Sequence, residues 1–173
     1  MLFEPNARLT DQAPVWAVPF SLTLVGGLVL ATVYIAEYGF GLAPCTLCLW
    51  QRYPYMAMIA LGLAGTGFCR QPAIRRASVV LGGLVGLIGA GIAGFHVGVE
   101  QGWWAGLSSC SAPVIEKGMS VEDLKAVLQA RQDVVPCDEP AWTLFGVSMA
   151  GYNLILATLL GAGYMIAALR GRA

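Results

Sequence analysis

Charged residues are scarce in this chain of 173 residues, which has ten Lys or Arg, ten Asp or Glu and one His. They make up 12% of the sequence, whereas roughly 25% is usual in a soluble domain. Hydrophobic residues make up 57%, and we find no internal repeat, phosphate-binding loop or basic patch. The composition therefore excludes an ordinary soluble domain and gives no indication of nucleic-acid binding.

Four uncharged runs dominate the sequence, over residues 15–36, 53–69, 77–99 and 140–169. About 20 apolar residues span the hydrocarbon core of a bilayer. Three runs reach that length, and the second does so if it includes 48–51 and tolerates Arg52. We predict an all-α membrane protein in which one domain, 1–173, is a bundle of four transmembrane helices. The predicted bounds are about 15–37, 46–68, 77–99 and 143–169, with an outer loop over about 100–142.

The first run differs from a secretory signal peptide. It is longer than the apolar core of a signal, and Glu4 and Asp11 precede it. No clear small-x-small cleavage site follows it. We therefore expect this run to remain in the protein as its first helix.

The charges predict which side of the membrane each loop occupies, because cytoplasmic loops collect Lys and Arg. In a four-helix arrangement one side holds Arg8, Arg70, Arg75, Arg76, Arg170 and Arg172. The other side holds Lys117, Lys125 and Arg131, with Arg52 at the helix edge, together with eight of the ten acidic residues. We predict that both termini are cytoplasmic and that the long loop is periplasmic.

Four of the five cysteines fall on the outer side: Cys45, Cys48, Cys110 and Cys137. Only Cys69 falls on the inner side. An oxidising outer compartment permits disulfides, and four cysteines allow three pairings. The simplest pairing joins neighbours, Cys45 with Cys48 and Cys110 with Cys137.

The outer loop contains a helix-start signal at Ser120-Val121-Glu122-Asp123, which resembles a capping box. Leu124, Val127 and Leu128 then lie on one face. We predict a short amphipathic helix that lies on the membrane surface, between Cys110 and Cys137.

The third helix has small residues within one narrow sector: Gly82, Gly86, Gly89 and Ala93. Such faces let membrane helices approach closely. His96 and Glu100 continue the same sector, so His96 is expected to face the bundle and not the lipid. Ionisable groups at membrane depth usually have a function. Helix four has three polar residues that we interpret as packing contacts with neighbouring helices: Ser148, Tyr152 and Asn153.

Cys48 lies in the first turn of the second helix, where unpaired N–H groups favour an anion. Arg52, four residues on, shares its face, so we predict that Cys48 is a reactive thiolate. Cys45 precedes the helix and is expected to be the more exposed partner. Pro54 is expected to bend the helix just below the pair.

Two other interpretations of the cysteines stay open at this point. Four cysteines and a histidine are suitable zinc ligands, but a second C-x-x-C is lacking and His96 is predicted to lie below the surface, which favours no metal. Purely structural disulfides would suit Cys110 and Cys137. They explain the short Cys45–Cys48 ring poorly, because so small a ring constrains little, and they leave Arg52 without a role.

If both pairs are redox-active, electrons need an entry and an exit. We expect the loop pair to be exposed and mobile, and so able to meet a soluble thiol protein. The C-x-x-C pair lies at the lipid boundary and can pass electrons to a lipid-soluble acceptor. Thiol–disulfide exchange connects the pairs, and a two-electron acceptor in a membrane indicates a quinone.

The chain resembles the DsbB family of disulfide-bond formation proteins over nearly its whole length. The resemblance is carried by Pro44-Cys45-Thr46-Leu47-Cys48 with Arg52, by His96, by the two loop cysteines, and by 137–142 and 145–149. It implies an enzyme of the bacterial inner membrane that reoxidises a DsbA-like periplasmic thioredoxin-fold protein at Cys110–Cys137. Cys45–Cys48 would reoxidise that pair, and Cys48 would pass the electrons to ubiquinone or menaquinone.

Within this resemblance Arg52 matches the arginine that lies by the quinone and supports a thiolate–quinone charge-transfer complex. His96 matches the histidine of helix three, and both are therefore candidate quinone-binding residues. Gln51 stands where some members have an acid, and Cys69 has no counterpart. Two further alternatives are an enzyme like vitamin K epoxide reductase, in which we expect a C-x-x-C late in the chain, and a non-enzymatic membrane protein with structural disulfides.

Overall fold

The protein is described by a computed structural model over residues 14–107, 110, 120–123, 125 and 135–171. This part of the chain is mostly helical. Its α-helices are α1 (Ala17–Tyr34), α2 (Thr46–Trp50), α3 (Arg52–Gly67), α4 (Pro72–Glu100) and α5 (Met149–Leu169). A π-helical turn, Ile35–Gly39, follows α1, and two short antiparallel strands, β1 (Thr143–Leu144) and β2 (Val147–Ser148), precede α5.

Three helical segments among the described residues are long and apolar enough to cross a membrane: Ala17–Gly39, Pro72–Glu100 and Met149–Leu169. The second predicted helix, 46–68, is instead divided into α2 and α3 at Gln51. Pro54 explains the interruption, because it has no N–H to bond the carbonyl of Trp50 and its ring crowds that carbonyl. The disturbance that Pro54 was expected to cause just below the cysteine pair is therefore present, as an interruption of the predicted helix 46–68 at Gln51.

The other helix bounds also differ from the predicted ones. α4 begins at Pro72 and not at 77, because a proline is well tolerated in the first turn of a helix. α5 begins at Met149 and not at 143. Phe145 and Gly146 have φ of 50° and 77° and form the tight turn between β1 and β2. The Ser148 hydroxyl then accepts the Gly151 N–H and starts the helix.

Close packing of the bundle is centred on α4, which contacts both α3 and α5, while α1 packs on α3. The small residues of α4 are buried, as predicted. A Cβ placed on Gly86 would lie 2.9 Å from the Cα of Gly161, so α4 and α5 touch backbone to backbone. His96 lies on this inward face and is only 3% exposed, which confirms that it faces the bundle.

Gly86→Ala is expected to lower the free energy of unfolding by about 1–3 kcal/mol, the usual cost of overpacking. The added methyl group would meet the backbone of Gly161 and not a flexible side chain that could move aside. Gly91→Ala, in the same helix, is the matched control, because no other described part of the chain lies within 4 Å of its added Cβ. Unfolding by a denaturing detergent measures both, and equal stability of the two variants would contradict the backbone contact.

The start of the predicted loop helix is present. The Asp123 N–H donates to the Ser120 hydroxyl at 3.1 Å, and that hydroxyl donates to the Asp123 carboxylate at 2.7 Å. Residues 121–123 and 125 are helical. The predicted apolar face, Leu124, Val127 and Leu128, lies outside the described residues, so the amphipathic helix as a whole stays a prediction.

Candidate active site

Cys45 and Cys48 lie together at the start of α2. Cys45 is the residue before the helix, and its extended backbone directs its sulfur back over the first turn. The sulfur accepts the Cys48 N–H at 3.3 Å and lies 2.9 Å from the Cys48 sulfur. Both cysteines are unbonded thiols in this structure. The helix therefore presents its amide hydrogen to Cys45, whereas the sequence favoured Cys48 as the stabilised sulfur.

Cys45 is 4% exposed, so the prediction that it is the more exposed partner is wrong. It packs in a buried cluster with Leu47, Val99 and the disulfide that joins Cys110 and Cys137. Those two cysteines are 3% and 0% exposed, so the expectation of an exposed loop pair is also wrong. The physical reason is apolar packing, because both sulfurs are covered by aliphatic side chains that gain by leaving water. One cluster thus contains Cys45 and the second cysteine pair.

His96 reaches the first pair from α4. One ring nitrogen, Nε2, lies 3.6 Å from the Cys45 sulfur and 3.9 Å from a carboxylate oxygen of Glu100. The other, Nδ1, lies 2.7 Å from the side-chain nitrogen of Gln51. Glu100 also accepts a short hydrogen bond from the Ser148 hydroxyl. The imidazole is therefore held on both sides and directed at Cys45.

Contacts around Cys45 favour its thiolate. The hydrogen bond between the Cys45 and Cys48 sulfurs has the largest influence and lowers the pKa of Cys45; burial opposes it, and the hydrogen bond with His96 lowers the pKa further. The balance places the pKa of Cys45 well below its ordinary value of 9.0.

In a variant that keeps Cys45 and Cys48 but has Cys69, Cys110 and Cys137 replaced, the thiolate of Cys45 is therefore expected to form at lower pH than that of a free cysteine. Adding Cys48→Ala should raise the apparent pKa of Cys45 more than adding His96→Phe, because the Cys48 hydrogen bond is the larger influence. Ultraviolet absorbance of the thiolate against pH measures all three proteins. The reverse order of the two substitutions would contradict this ranking.

A cavity of about 300 Å³ lies on the other side of Cys48. Its walls are mainly apolar side chains of α1, α5 and the 42–44 connection, with a few polar groups, among them Gln51, Arg52 and Asn153. Leu28 and Leu156 line it and are 59% and 37% exposed, so the cavity reaches the apolar outer surface of the bundle. An apolar space with a few convergent polar groups is typical of a small-molecule site.

Arg52 is fixed in the wall of this cavity by two contacts. Its guanidinium lies 2.7 Å from the Glu37 carboxylate and 4.9 Å from the centre of the Tyr34 ring. The two charged side chains are 11% and 19% exposed, so the pair is largely removed from water. Glu37 belongs to the π-helical turn after α1, a type of distortion that often occurs at functional sites.

Sequence reasoning missed most of the polar groups that support these residues. Gln51, Tyr55 and Asn153 are bonded to one another behind His96, and Glu37 pairs with Arg52. The available signal was their polarity within otherwise apolar helices, since buried polar groups need partners. We had interpreted Asn153 as a packing residue, and its side chain does join two helices.

The sequence is similar to those of known proteins with a role in disulfide chemistry, as expected from two neighbouring cysteine pairs. Residues 16–167 match the family described as "Disulfide bond formation protein DsbB". The chain belongs to the DsbB family. It is 34% identical to Disulfide bond formation protein B of Methylococcus capsulatus over 143 residues, which are 77% of this chain and 81% of that protein. It is 34% identical over 156 residues to Disulfide bond formation protein B 2 of Pseudomonas savastanoi, covering 80% and 79%. No solved structure is significantly similar to it.

Membership of the DsbB family decides between several of the alternatives. The chain is a membrane protein with a disulfide-forming, oxidoreductase role. A non-enzymatic protein with structural disulfides and an enzyme like vitamin K epoxide reductase are both disfavoured by this result. A further relative, "Uncharacterized protein RP370" of Rickettsia prowazekii, is 32% identical over 136 residues, 78% of this chain and 77% of that protein.

Three potential metal ligands of this DsbB-family protein, on Cys45, Cys48 and His96, lie within 4.8 Å of one another. His96 is thus closer to the cysteines than the sequence argument against zinc assumed. Cys110 and Cys137 are joined in a disulfide and are not available as thiolate ligands. Cys69 is a half-buried free thiol that follows α3, at the opposite end of that helix from the first pair.

Proposed function

We propose that this protein takes electrons from a periplasmic DsbA-like dithiol protein and passes them through its two cysteine pairs to a membrane quinone. The observation that carries the proposal is the placement of the first pair. Cys45 packs in one cluster with Cys110 and Cys137, whereas Cys48 lines the large cavity. The pair therefore has one sulfur toward an electron source and one toward a space suited to an acceptor.

In the first step a thiolate of the reduced partner attacks the Cys110–Cys137 disulfide and forms a mixed disulfide, releasing the other sulfur as a thiolate. The second partner thiolate then attacks the mixed disulfide. The partner leaves with a new disulfide, and Cys110 and Cys137 keep two electrons as thiols. Because both sulfurs are buried, the partner must displace part of the cluster to reach them.

In the second step a thiolate of the reduced loop pair attacks Cys45 in a Cys45–Cys48 disulfide and releases Cys48. The remaining loop thiolate resolves the mixed disulfide, which restores Cys110–Cys137 and leaves Cys45 and Cys48 as thiols. No electrons are lost, because one disulfide breaks for each one formed. The hydrogen bonds from Cys48 and His96 stabilise Cys45 as the leaving or attacking thiolate.

The cavity fits a quinone headgroup in size, polarity and access. Arg52, Gln51 and Asn153 would hold carbonyl oxygens, while Leu28 and Leu156 would contact an isoprenoid chain from the lipid side. A quinone bound there would accept the two electrons and two protons that leave Cys45 and Cys48 as their disulfide forms. The guanidinium of Arg52 is already held in this wall by Glu37. It can therefore stabilise negative charge with little rearrangement of the site. Ubiquinone and menaquinone both fit this description.

We also propose four spans in the bacterial inner membrane, with α2 and α3 together as the second. Residues 46–67 cover the required length in two consecutive helical pieces. Arg70 and Arg170 follow α3 and α5, and Arg75 and Arg76 lie in the first turns of α4, so these basic residues favour cytoplasmic termini and periplasmic redox sites.

The direct test uses the reduced full chain in lipid nanodiscs without oxygen. Adding quinone should remove the thiols of Cys45, Cys48, Cys110 and Cys137 and produce quinol, while Cys69 keeps its thiol. A reduced thioredoxin-fold partner added next should restore the thiols as it becomes oxidised. Quinone that leaves the thiols unchanged would contradict the proposed electron acceptor, and a partner that stays reduced would contradict the proposed donor.

A further inference from the structure

We propose that Tyr55, Asn153 and Gln51 form a directional hydrogen-bond chain that fixes His96 as its neutral Nε2–H tautomer. These three are thus positioning residues for the imidazole that faces Cys45. The consequence for catalysis rests on the proposed function, whereas the tautomer is a property of the protein alone.

This series of hydrogen bonds connects side chains of three helical segments. The Tyr55 hydroxyl of α3 donates to the side-chain oxygen of Asn153 in α5. The Asn153 amide nitrogen donates to the Gln51 oxygen at 2.5 Å. The Gln51 amide nitrogen then faces Nδ1 of His96, in α4, at 2.7 Å. Tyr55, Gln51 and His96 are 4%, 7% and 3% exposed, so water is largely excluded from these side chains.

The direction of each bond follows from the one before it. A carboxamide offers one accepting oxygen and one donating NH₂ group, so an amide that accepts at its oxygen donates at its nitrogen. With the NH₂ of Gln51 toward His96, Nδ1 has to be the acceptor and cannot carry a hydrogen. A neutral imidazole then has its hydrogen on Nε2, because the hydrogen bond at one ring nitrogen determines the state of the other.

On the other side of the ring, the groups that contact Nε2–H within the described part of the chain are both acceptors. The Cys45 sulfur lies at 3.6 Å and a Glu100 oxygen at 3.9 Å, while Glu100 is held by the Ser148 hydroxyl. The imidazole therefore donates a hydrogen to the Cys45 sulfur and does not remove one from it. His96 stabilises a thiolate as a neutral donor, which differs from the role of a general base.

The same chain also connects the two sides of the first cysteine pair. Tyr55, Gln51 and Asn153 all line the large cavity, and His96 contacts Cys45 behind it. A molecule that bonds to Gln51 or Asn153 in the cavity therefore competes with the bonds that hold the imidazole. Rotating one amide alone would set donor against donor and acceptor against acceptor, so these hydrogen bonds can reverse only together.

His96 is the only histidine in the chain, so the NMR signals of labelled histidine need no assignment to a residue. Full-length protein with 15N-labelled histidine and a histidine-free tag would be measured in nanodiscs by long-range proton–nitrogen correlation. We expect one imidazole with a protonated Nε2 and an unprotonated Nδ1. An Nδ1–H tautomer or an imidazolium at neutral pH in the unmodified protein would overturn the proposal without any variant.

Gln51→Glu tests the cause. A carboxylate can only accept at this position, so Nδ1 is expected to become protonated and its nitrogen signal to move accordingly. Thr32→Val is the matched control, because Thr32 lines the same cavity but bonds to its own helix at Leu28. A Gln51→Glu spectrum identical to that of the unmodified protein would overturn the proposal. Quinone-dependent loss of thiols, measured separately, reports on the proposed function and not on the tautomer.

Discussion

Cys48→Ser is expected to abolish continuous reduction of quinone by a dithiol partner. Cys48 is the cysteine that lines the cavity, and a serine hydroxyl can neither form the Cys45–Cys48 disulfide nor carry its electrons. The Cys110–Cys137 disulfide lies in a different part of the cluster and is retained. The variant should therefore oxidise one equivalent of partner in a single turnover and then stop. The absorbance of the quinone, followed without oxygen, measures its reduction. The number of thiols left on the partner measures its oxidation.

The matched control for this variant is Cys69→Ser, which changes a free thiol beyond the far end of α3. We expect it to keep the rate of the unmodified protein. Continued turnover by Cys48→Ser would show that Cys45 or the loop pair delivers electrons by another route. Loss of the single turnover as well would indicate that the substitution disturbs the loop pair, which the proposal does not allow.

Arg52→Met is expected to lower the quinone-dependent rate by about 10²- to 10³-fold, the usual effect of removing one fixed group that stabilises developing charge. Arg52 is the one cation among the described residues that line the cavity. Methionine keeps an unbranched apolar side chain, so the cavity wall is largely preserved. The mixed disulfide between the partner and the loop pair should still form, because Arg52 lies outside that cluster.

Arg70→Met is the control for Arg52→Met, since it removes a cation that follows α3 at the opposite end. Glu37→Gln keeps the shape of the partner of Arg52 but removes its charge, so it should weaken quinone use less than Arg52→Met does. A mixed disulfide lost in Arg52→Met with quinone reduction intact would reverse the proposed division between the two cysteine pairs.

The sequence predicts the parts of this site that follow from helical spacing. The sector shared by Gly82, Gly86 and Ala93 predicts that α4 approaches its neighbours and that His96 faces inward, and both are present. The four-residue step from Cys48 to Arg52 predicts that they share a face, and both line the cavity. The relations within α4 lie in one regular helix, where geometry is fixed by the 3.6-residue turn. Cys48 and Arg52 share a face although the helix is interrupted between them at Gln51.

Relations between segments could not be predicted in the same way. Gln51 and Asn153 are 102 positions apart, and Glu37 meets Arg52 because α1 ends in a π-helical turn. The burial of Cys45 depends on how Val99 of α4 and the loop pair pack against it. Local signals were present for the turn at Phe145-Gly146, but the uncharged run 140–169 concealed the start of α5.

Under the proposed function, Leu28 and Leu156, exposed at the rim of the cavity, make the bilayer the compartment from which the quinone enters. The relevant concentration is then the number of quinone molecules per lipid and not per volume of water. Adding quinone-free lipid at constant total quinone should slow the reoxidation of Cys45 and Cys48, whereas adding buffer should not. In a cell, the rate of disulfide formation would follow the composition of the membrane quinone pool and its redox state.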